Sequence, residues 1–238
     1  MKSVRLYQNT TLKVGTKIDL DESATHHLIK VLRFPEGKNI TLFNGDSFDY
    51  LVKVINTKKT CSAQVLSCEK NNRESLLNLT LAQAIAKGEK MDFLIQKAIE
   101  LGVNRIIPVQ AERCVVRLNG TKLIKRTEHW QKIANHACEQ SGRSVIVEVA
   151  EVKSLTEVLS ETKGNGYVLH HRAEESLLTM KAPIQATILI GPEGGLSKSE
   201  IDEAIASGFQ PLLLGNRILR TETASLAAIA NMQLLWGG

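Results

Sequence analysis

Three stretches in the last 70 residues place glycines and polar side chains directly behind apolar runs. Gly191-Pro192-Glu193-Gly194-Gly195-Leu196 follows ATILI. Gly215-Asn216-Arg217-Ile218-Leu219-Arg220-Thr221-Glu222-Thr223 follows PLLL, and His170-His171-Arg172 follows YVL. Glycine behind a buried strand lets the backbone approach a ligand and leaves amides and carbonyls to bond it. The spacing is not that of a phosphate binder: neither G-x-G-x-x-G nor G-x-x-x-x-G-K-[ST] occurs, and Glu193 would repel a pyrophosphate. A cofactor with an adenosine part and no phosphates fits better. Each loop alone also reads as a tight turn from strand to helix, but the two glycine loops together favour a ligand cradle.

Other chemistries find little support. No Gly-x-Ser-x-Gly elbow is present, and no cysteine sits in a glycine-rich or cationic turn. Cys61, Cys68, Cys114 and Cys138 form no Cys-x-x-Cys pair and read as reduced thiols, with no zinc expected. Adjacent His26-His27 and His170-His171 are not metal signals, since neighbours on a strand face opposite ways. His27, Lys30 and Arg33 fall at i, i+3 and i+6 of an expected helix, on one side, as a cationic ridge suited to phosphates. A solvated helix face is the equal alternative.

These residues need two kinds of scaffold. VGTKIDL, NITLFNG, FDYLVKVIN and SAQVLSC, spaced by turn signals, predict a small β-rich unit over residues 1–70. Inside it, SATHHLIKVLR predicts a short helix capped by Ser23, with Leu28, Val31 and Leu32 as its buried stripe. Glu69–Ser75 is polar and marks the expected boundary. From there strands and helices alternate, predicting an α/β domain over 75–238. LLNLTLAQAI and RIIPVQ read as strands, with a helix between them from about Glu89 to Leu101. Thr127 to Ser141 is the next helix, with Trp130, Ile133, Ala134, Ala137 and Cys138 inward. Ser154–Glu157 and Ser197–Glu200 are capping boxes. YVLHH, ATILIG and PLLLG lack alternation, as strands buried on both faces of a parallel sheet do. A last helix is expected from about Glu222 to Trp236.

Charge is unevenly placed. The chain carries 30 Lys and Arg against 25 Asp and Glu, a net of +5. Residues 1–70 hold 11 against 7, so +4 of that net sits in the β-rich part, where a polyanion would feel it most. The same surplus reads equally as a solubilising lysine surface. No apolar run approaches the ~20 residues of a membrane span, and MKSVRLYQNT lacks the apolar stretch of a signal peptide. A cytoplasmic protein with no membrane partner is expected.

LIGPEGGLSKSEI followed by LLLGNRILRTETASLAAI resembles the C-terminal signature of the SPOUT class of S-adenosylmethionine-dependent RNA methyltransferases. More narrowly it resembles the RsmE family, which methylates N3 of a uridine in 16S rRNA. HHLIKVLR with LFNGD, GEKMDFLIQKAIELGV, ERCVVRL, WQKIANHACEQSGRS and LHHRA are similar to the same family, so the likeness runs from residue 26 to 230. The resemblance implies a PUA-like RNA-binding β-barrel followed by a SPOUT domain with a deep C-terminal trefoil knot. That knot would be an exception to the rule that chains do not thread loops. It also implies a homodimer acting on 16S rRNA or the assembled small subunit. One departure is Asn216, where the family often has proline; asparagine tolerates turn conformations.

Carried over by match, Leu169, His170, Ile190, Gly191, Gly195, Leu214, Gly215, Ile218, Leu219 and Thr221 would form the S-adenosyl-L-methionine cradle. Arg217 and Arg220 would be the catalytic arginines beside the target base. His27, Lys30, Arg33, Arg113, Arg117 and Arg143 would contact RNA. Uracil N3 is a poor nucleophile until its proton leaves, and a cation that stabilises the developing negative charge assists. N3 lies on the pairing edge, so the base must enter unpaired. Glu222 is the nearest carboxylate in the motif, but it also suits the start of the last helix. Two other functions stay open: an RNA-binding protein whose SPOUT fold has lost catalysis, and a small-molecule enzyme using the same cradle. The basic first third argues against the second.

Overall fold

A computed structural model describes residues 4–57, 60–117, 119–162 and 164–238. The chain forms two compact units, Met1–Glu74 with Cys138–Ile146, and Ser75–Ala137 with Val147–Gly238.

The first unit is built on β1 (Arg5–Tyr7), β2 (Lys17–Asp19), β3 (Asn39–Phe43), β4 (Phe48–Asn56) and β5 (Ser62–Lys70), in the order β1-β3-β4-β5-β2. Among the described residues only the β1–β3 pair of this sheet is parallel. Tyr50, Val52 and Val54 of β4 turn inward and Leu51, Lys53 and Ile55 outward, the period-2 signature of a sheet with one buried face. They meet Leu6, Leu20, Leu28, Ile40, Leu42 and Val65 in a single core. Among the described residues no pairing joins β1 to β2, so the expected barrel is here a five-stranded sheet with two three-residue strands at its ends.

The basic helix departs from expectation. Asp21, not Ser23, caps α1 (Glu22–His26) by accepting the Ala24 N–H at 2.8 Å. At His27–Val31 the chain then winds as a π-helical turn, in which the Leu32 N–H reaches back to the His27 carbonyl at 2.9 Å. Such turns are rare and occur mostly as single insertions. The wider turn breaks the α-helical phase on which the sequence expectation rested. Leu28 stays buried, whereas Val31 and Leu32 are 59% and 40% exposed. Arg33 lies past the turn at φ +47°, so the ridge of i, i+3 and i+6 does not form. Lys30 and Arg33 instead stand exposed on either side of Val31 and Leu32.

Cys138–Ile146 is tied into the first unit by charge. The Arg5 guanidinium donates to Asp49 at 2.8 Å and to the Ser144 hydroxyl at 3.0 Å, and it stacks on Phe43 at 5.2 Å. The Asn71 amide donates to Asp49, Ser144 and the Gly142 carbonyl. Burial alone would raise the Asp49 carboxyl, but bonds from Arg5 and Ser144 and the charge of Arg5 hold it below its usual range. Arg143, expected to contact RNA, is instead buried, with its guanidinium gripping both oxygens of Glu74. It is a structural cation and is not available to an RNA.

The second unit alternates β6 (Asn78–Ala84), α2 (Glu89–Glu100), β7 (Arg105–Gln110), α3 (Gly120–Ser141), β8 (Glu148–Val149), β9 (Lys153–Ser154) and α4 (Leu155–Glu161). It continues with β10 (Asn165–Leu169), β11 (Gln185–Ile190), α5 (Lys198–Ala206), β12 (Gln210–Leu212) and α6 (Thr221–Trp236). The last four residues of α3, Cys138–Ser141, belong to the first unit. Every pairing is parallel, in the order β12-β10-β11-β6-β7-β8, with β9 also on β7. Both capping boxes form, at Ser154 with Glu157 and at Ser197 with Glu200. α3 starts seven residues before Thr127. Its first turns are largely exposed and carry no inward stripe for periodicity to detect.

Replacing Arg143 by Met should cost the first unit about 2 kcal/mol, since it takes the buried cation from a half-buried Glu74 that retains some access to water. Hydrogen exchange of the β4 amides measures it, and unchanged protection would show that the pair is not a tie.

Candidate functional site

β10, β11 and β12 end side by side: Val168 is level with Leu189, and Leu169 with Leu212. In a parallel sheet the loops leaving the carboxyl ends collect at one edge. Here they enclose a cleft of about 340 Å³, within the range of small-molecule sites. Leu169 and His170 enter from the loop after β10, and Ile190, Gly191 and Gly195 from that after β11. Leu214, Gly215, Ile218, Leu219 and Thr221 enter from that after β12. All ten expected cradle residues therefore line one cleft.

The glycines are used in two ways. Gly195 and Gly215 sit at φ +68° and +93°, left-handed values that disfavour side chains, and a Cβ on either would meet nothing within 4 Å. At Gly191 a Cβ would lie 2.7 Å from the Leu196 nitrogen, so the loop folds back too closely for any other residue. The Gly195 N–H closes that fold by donating to the Pro192 carbonyl at 2.8 Å.

A buried chain of hydrogen bonds joins the two glycine loops. The Thr221 hydroxyl donates to the Gly191 carbonyl at 2.7 Å and accepts from the Gln83 amide at 3.0 Å. The Ser225 hydroxyl donates to Gln83 Oε1 at 2.5 Å.

Electrostatics distinguish the polar groups of the wall. Burial above all, then the nearby His171 and Arg172, lower the His170 pKa, so its ring is neutral at pH 7. Burial would raise Glu193, but its own N–H, the Lys87 N–H at 3.1 Å and the Lys90 ammonium outweigh it and keep the carboxylate ionised. Lys90 stands 3.6 Å from both Glu193 and Glu222.

The arginines divide. Arg217 lines the cleft; Arg220 is the N-cap of α6 and is not among the lining residues. Arg113, expected at RNA, lines the cleft and donates to the Gly194 carbonyl at 3.1 Å, while Arg117 is exposed and donates to the Glu112 carbonyl. His27, Lys30 and Arg33 belong to the first unit. Lining residues that sequence reasoning missed are Ile201, Leu212, Leu213 and Ala224, whereas Leu196 and His171 stand in the loops it singled out, without a role of their own. Leu212 and Leu213 lay in a quoted apolar run, whereas Ile201 has no local signal. None of the described lining residues is Ser, Cys or Lys, and the one hydroxyl, on Thr221, is committed to Gly191. The wall can hold a flat heteroaromatic between apolar side chains and main-chain edges. Among the described residues no cluster of His, Cys, Asp or Glu could hold a metal, and no helix is long and apolar enough to cross a membrane.

Comparison with known proteins places this architecture. Residues 72–233 match the RNA methyltransferase domain family, and residues 20–66 the RNA methyltransferase PUA domain. A ribosomal RNA small subunit methyltransferase E from Buchnera aphidicola (of Schizaphis graminum) is 34% identical, with 98% of this chain and 96% of the relative covered. That of Bacillus subtilis is 33% identical over 90% and 92%. Among solved structures, a methyltransferase from Legionella pneumophila with bound SAM superposes with a TM-score of 0.97 at 37% identity, covering both chains fully. A ribosomal RNA small subunit methyltransferase E from Neisseria gonorrhoeae bound to S-adenosyl methionine gives 0.93 at 39%, covering 99% and 98%. On its two domains and on likeness along nearly its whole length, the chain belongs to the ribosomal RNA small subunit methyltransferase E family.

Proposed function

We propose that the protein transfers a methyl group from S-adenosyl-L-methionine to N3 of a uridine in the 16S rRNA of the small ribosomal subunit. The observation that carries this reading is the cleft itself: three loops at one sheet edge, two left-handed glycines and a mostly apolar wall, in a member of this family. The cleft fits the cofactor. Leu169, Ile190, Leu214 and Leu219 flank a slot for the adenine, and glycines at 191, 195 and 215 leave main-chain groups to read its edge. When bound, S-adenosyl-L-methionine supplies an electrophilic methyl group on a sulfonium.

The task of the chain is positioning and charge. Neutral His170 adds no positive charge beside a cationic ligand, and ionised Glu193 favours one. Arg217 in the cleft, with Arg220 three residues on, supplies a cation for the negative charge that builds on uracil as N3 loses its proton. Lys30 and Arg33, with His27 between them and α1, hold the RNA by its phosphates, assisted by Arg117. In this reading residues 1–70 are the PUA-like RNA-binding module and 75–238 the methyltransferase module.

The same reading makes the second unit a SPOUT domain with a deep trefoil knot. Its support is the strand order β12-β10-β11 and the Thr221 bond that sets the start of α6 against the loop after β11. The protein works as a cytoplasmic homodimer, consistent with Ile218 standing 89% exposed on the cleft rim where a second copy can cover it.

Purified protein incubated with S-adenosyl-L-methionine and small-subunit rRNA should yield N3-methyluridine on nucleoside mass spectrometry; methyl groups on C5 or ribose would overturn the N3 assignment. Gly191→Ala should weaken cofactor binding by about tenfold or more, because two backbone atoms within 3.0 Å must move. Calorimetry reads this directly. Changing Lys30 and Arg33 together to Ala should lower the slope of log RNA affinity against log salt by ~0.7–0.9 per lost contact. Cofactor affinity should stay unchanged, and an unaltered slope would make these two cations mere surface.

A further inference from the structure

Gln83 is fully buried in β6 and lies outside the wall of the cleft. Its amide is nevertheless saturated: Nε2 donates to the Ala84 carbonyl at 2.9 Å and to Thr221 Oγ1 at 3.0 Å, and Oε1 accepts from Ser225. The Ala84 carbonyl sets the orientation, since the flipped amide would press oxygen against oxygen. With an N–H pointing at Thr221 Oγ1, the Thr221 hydroxyl accepts there and its own proton is left for Gly191. The direction of the last bond is thus decided at residue 83. Gly191 opens one glycine loop and Thr221 closes the other. Gln83, Thr221 and Ser225 are all buried, so water cannot replace a missing partner.

We infer that Gln83 is a positioning residue for the methyl-transfer site: from inside the sheet it sets the separation of the two glycine loops and hence the affinity for the cofactor. This rests on the cofactor reading of the cleft. An apolar side chain at 83 leaves the two loops joined by one hydrogen bond with no anchor in β6, and the cleft widens at the point where the backbone must approach the ligand. The side chain reaches neither the reacting atoms nor the RNA, so the effect falls on cofactor binding.

The test uses the full-length protein and the variants Gln83→Leu, Ser225→Ala and both together. Gln83→Leu should raise the Kd for S-adenosyl-L-methionine about tenfold, in line with one buried polar group left unpartnered. Ser225→Ala should raise it less, and the double variant no further than Gln83→Leu alone, since the residues act through one chain of bonds. At saturating cofactor kcat should stay within about twofold of wild type and the KM for RNA should not change. A merely structural residue would show the reverse, a smaller active fraction and lower kcat with cofactor KM unmoved. If Gln83→Leu does not fold, Ser225→Ala, which removes one hydroxyl, carries the same split between KM and kcat. A wild-type Kd in the folded variants, additive effects, or a loss confined to kcat would overturn the inference alone. Failure of the wild-type protein to bind S-adenosyl-L-methionine would overturn the cofactor reading and this inference with it.

Discussion

Parallel pairing of β10 with β11 on one side and β12 on the other leaves three strand ends level at one edge. Parallel strands cannot return by hairpins, so each of the three must leave the sheet and come back through a crossover. The loops after β11 and β12 lead into α5 and α6, and that after β10 into the segment before β11. All three share the space above the same edge. Gly191 follows from this crowding, since a Cβ there would lie 2.7 Å from the Leu196 nitrogen five residues later, whereas Gly195 and Gly215 follow from left-handed turns in the exits. The cleft is what remains when three exits are forced together with side chains too small to fill it.

The second constraint is desolvation. The center of the second unit is apolar, with Leu79, Leu81, Ile106, Ile188 and Leu189 wholly or almost wholly buried. A polar group placed there must find its partners within the protein. The first unit meets the same demand with charge, around Asp49 and Glu74. The second meets it with neutral hydroxyls and one amide around Gln83, and with one carboxylate, Glu200, that accepts the Glu112 and Ser197 N–H groups. Around Gln83 the neutral groups impose direction without adding a charge, so the field beside the ligand is left to Glu193, Arg113 and Arg217 in the wall.

How much of this was readable in advance depends on how local each signal is. The unalternating runs at β10, β11 and β12 announced buried parallel strands, and both capping boxes formed where their Ser and Glu stood. The cleft glycines were readable because they stand within a few residues of the strands they serve. β8 and β9, at two residues each, are too short to carry a period. Val31 and Leu32 were misplaced because a period of 3.6 was assumed through a turn that closes on the fifth residue. Arg143 was read as an RNA contact and Gln83 was not singled out, for a different reason. Their partners lie 69 and 138 residues away in sequence, and no window along the chain can see them.

The partition of the chain has a consequence for its synthesis. Glu74 leaves the ribosome 72 residues before Ile146, which completes the same unit. At the usual pace of translation that is an interval of roughly 4–15 s. During it Arg5, Asp49 and Asn71 have emerged, but Ser144 has not. The nascent sheet must therefore wait until the first stretch of its neighbour, Ser75–Ala137, has been made. A unit of this kind is not a portable module: excising its first 74 residues would take the sheet and leave behind the strap that its charges were arranged to hold.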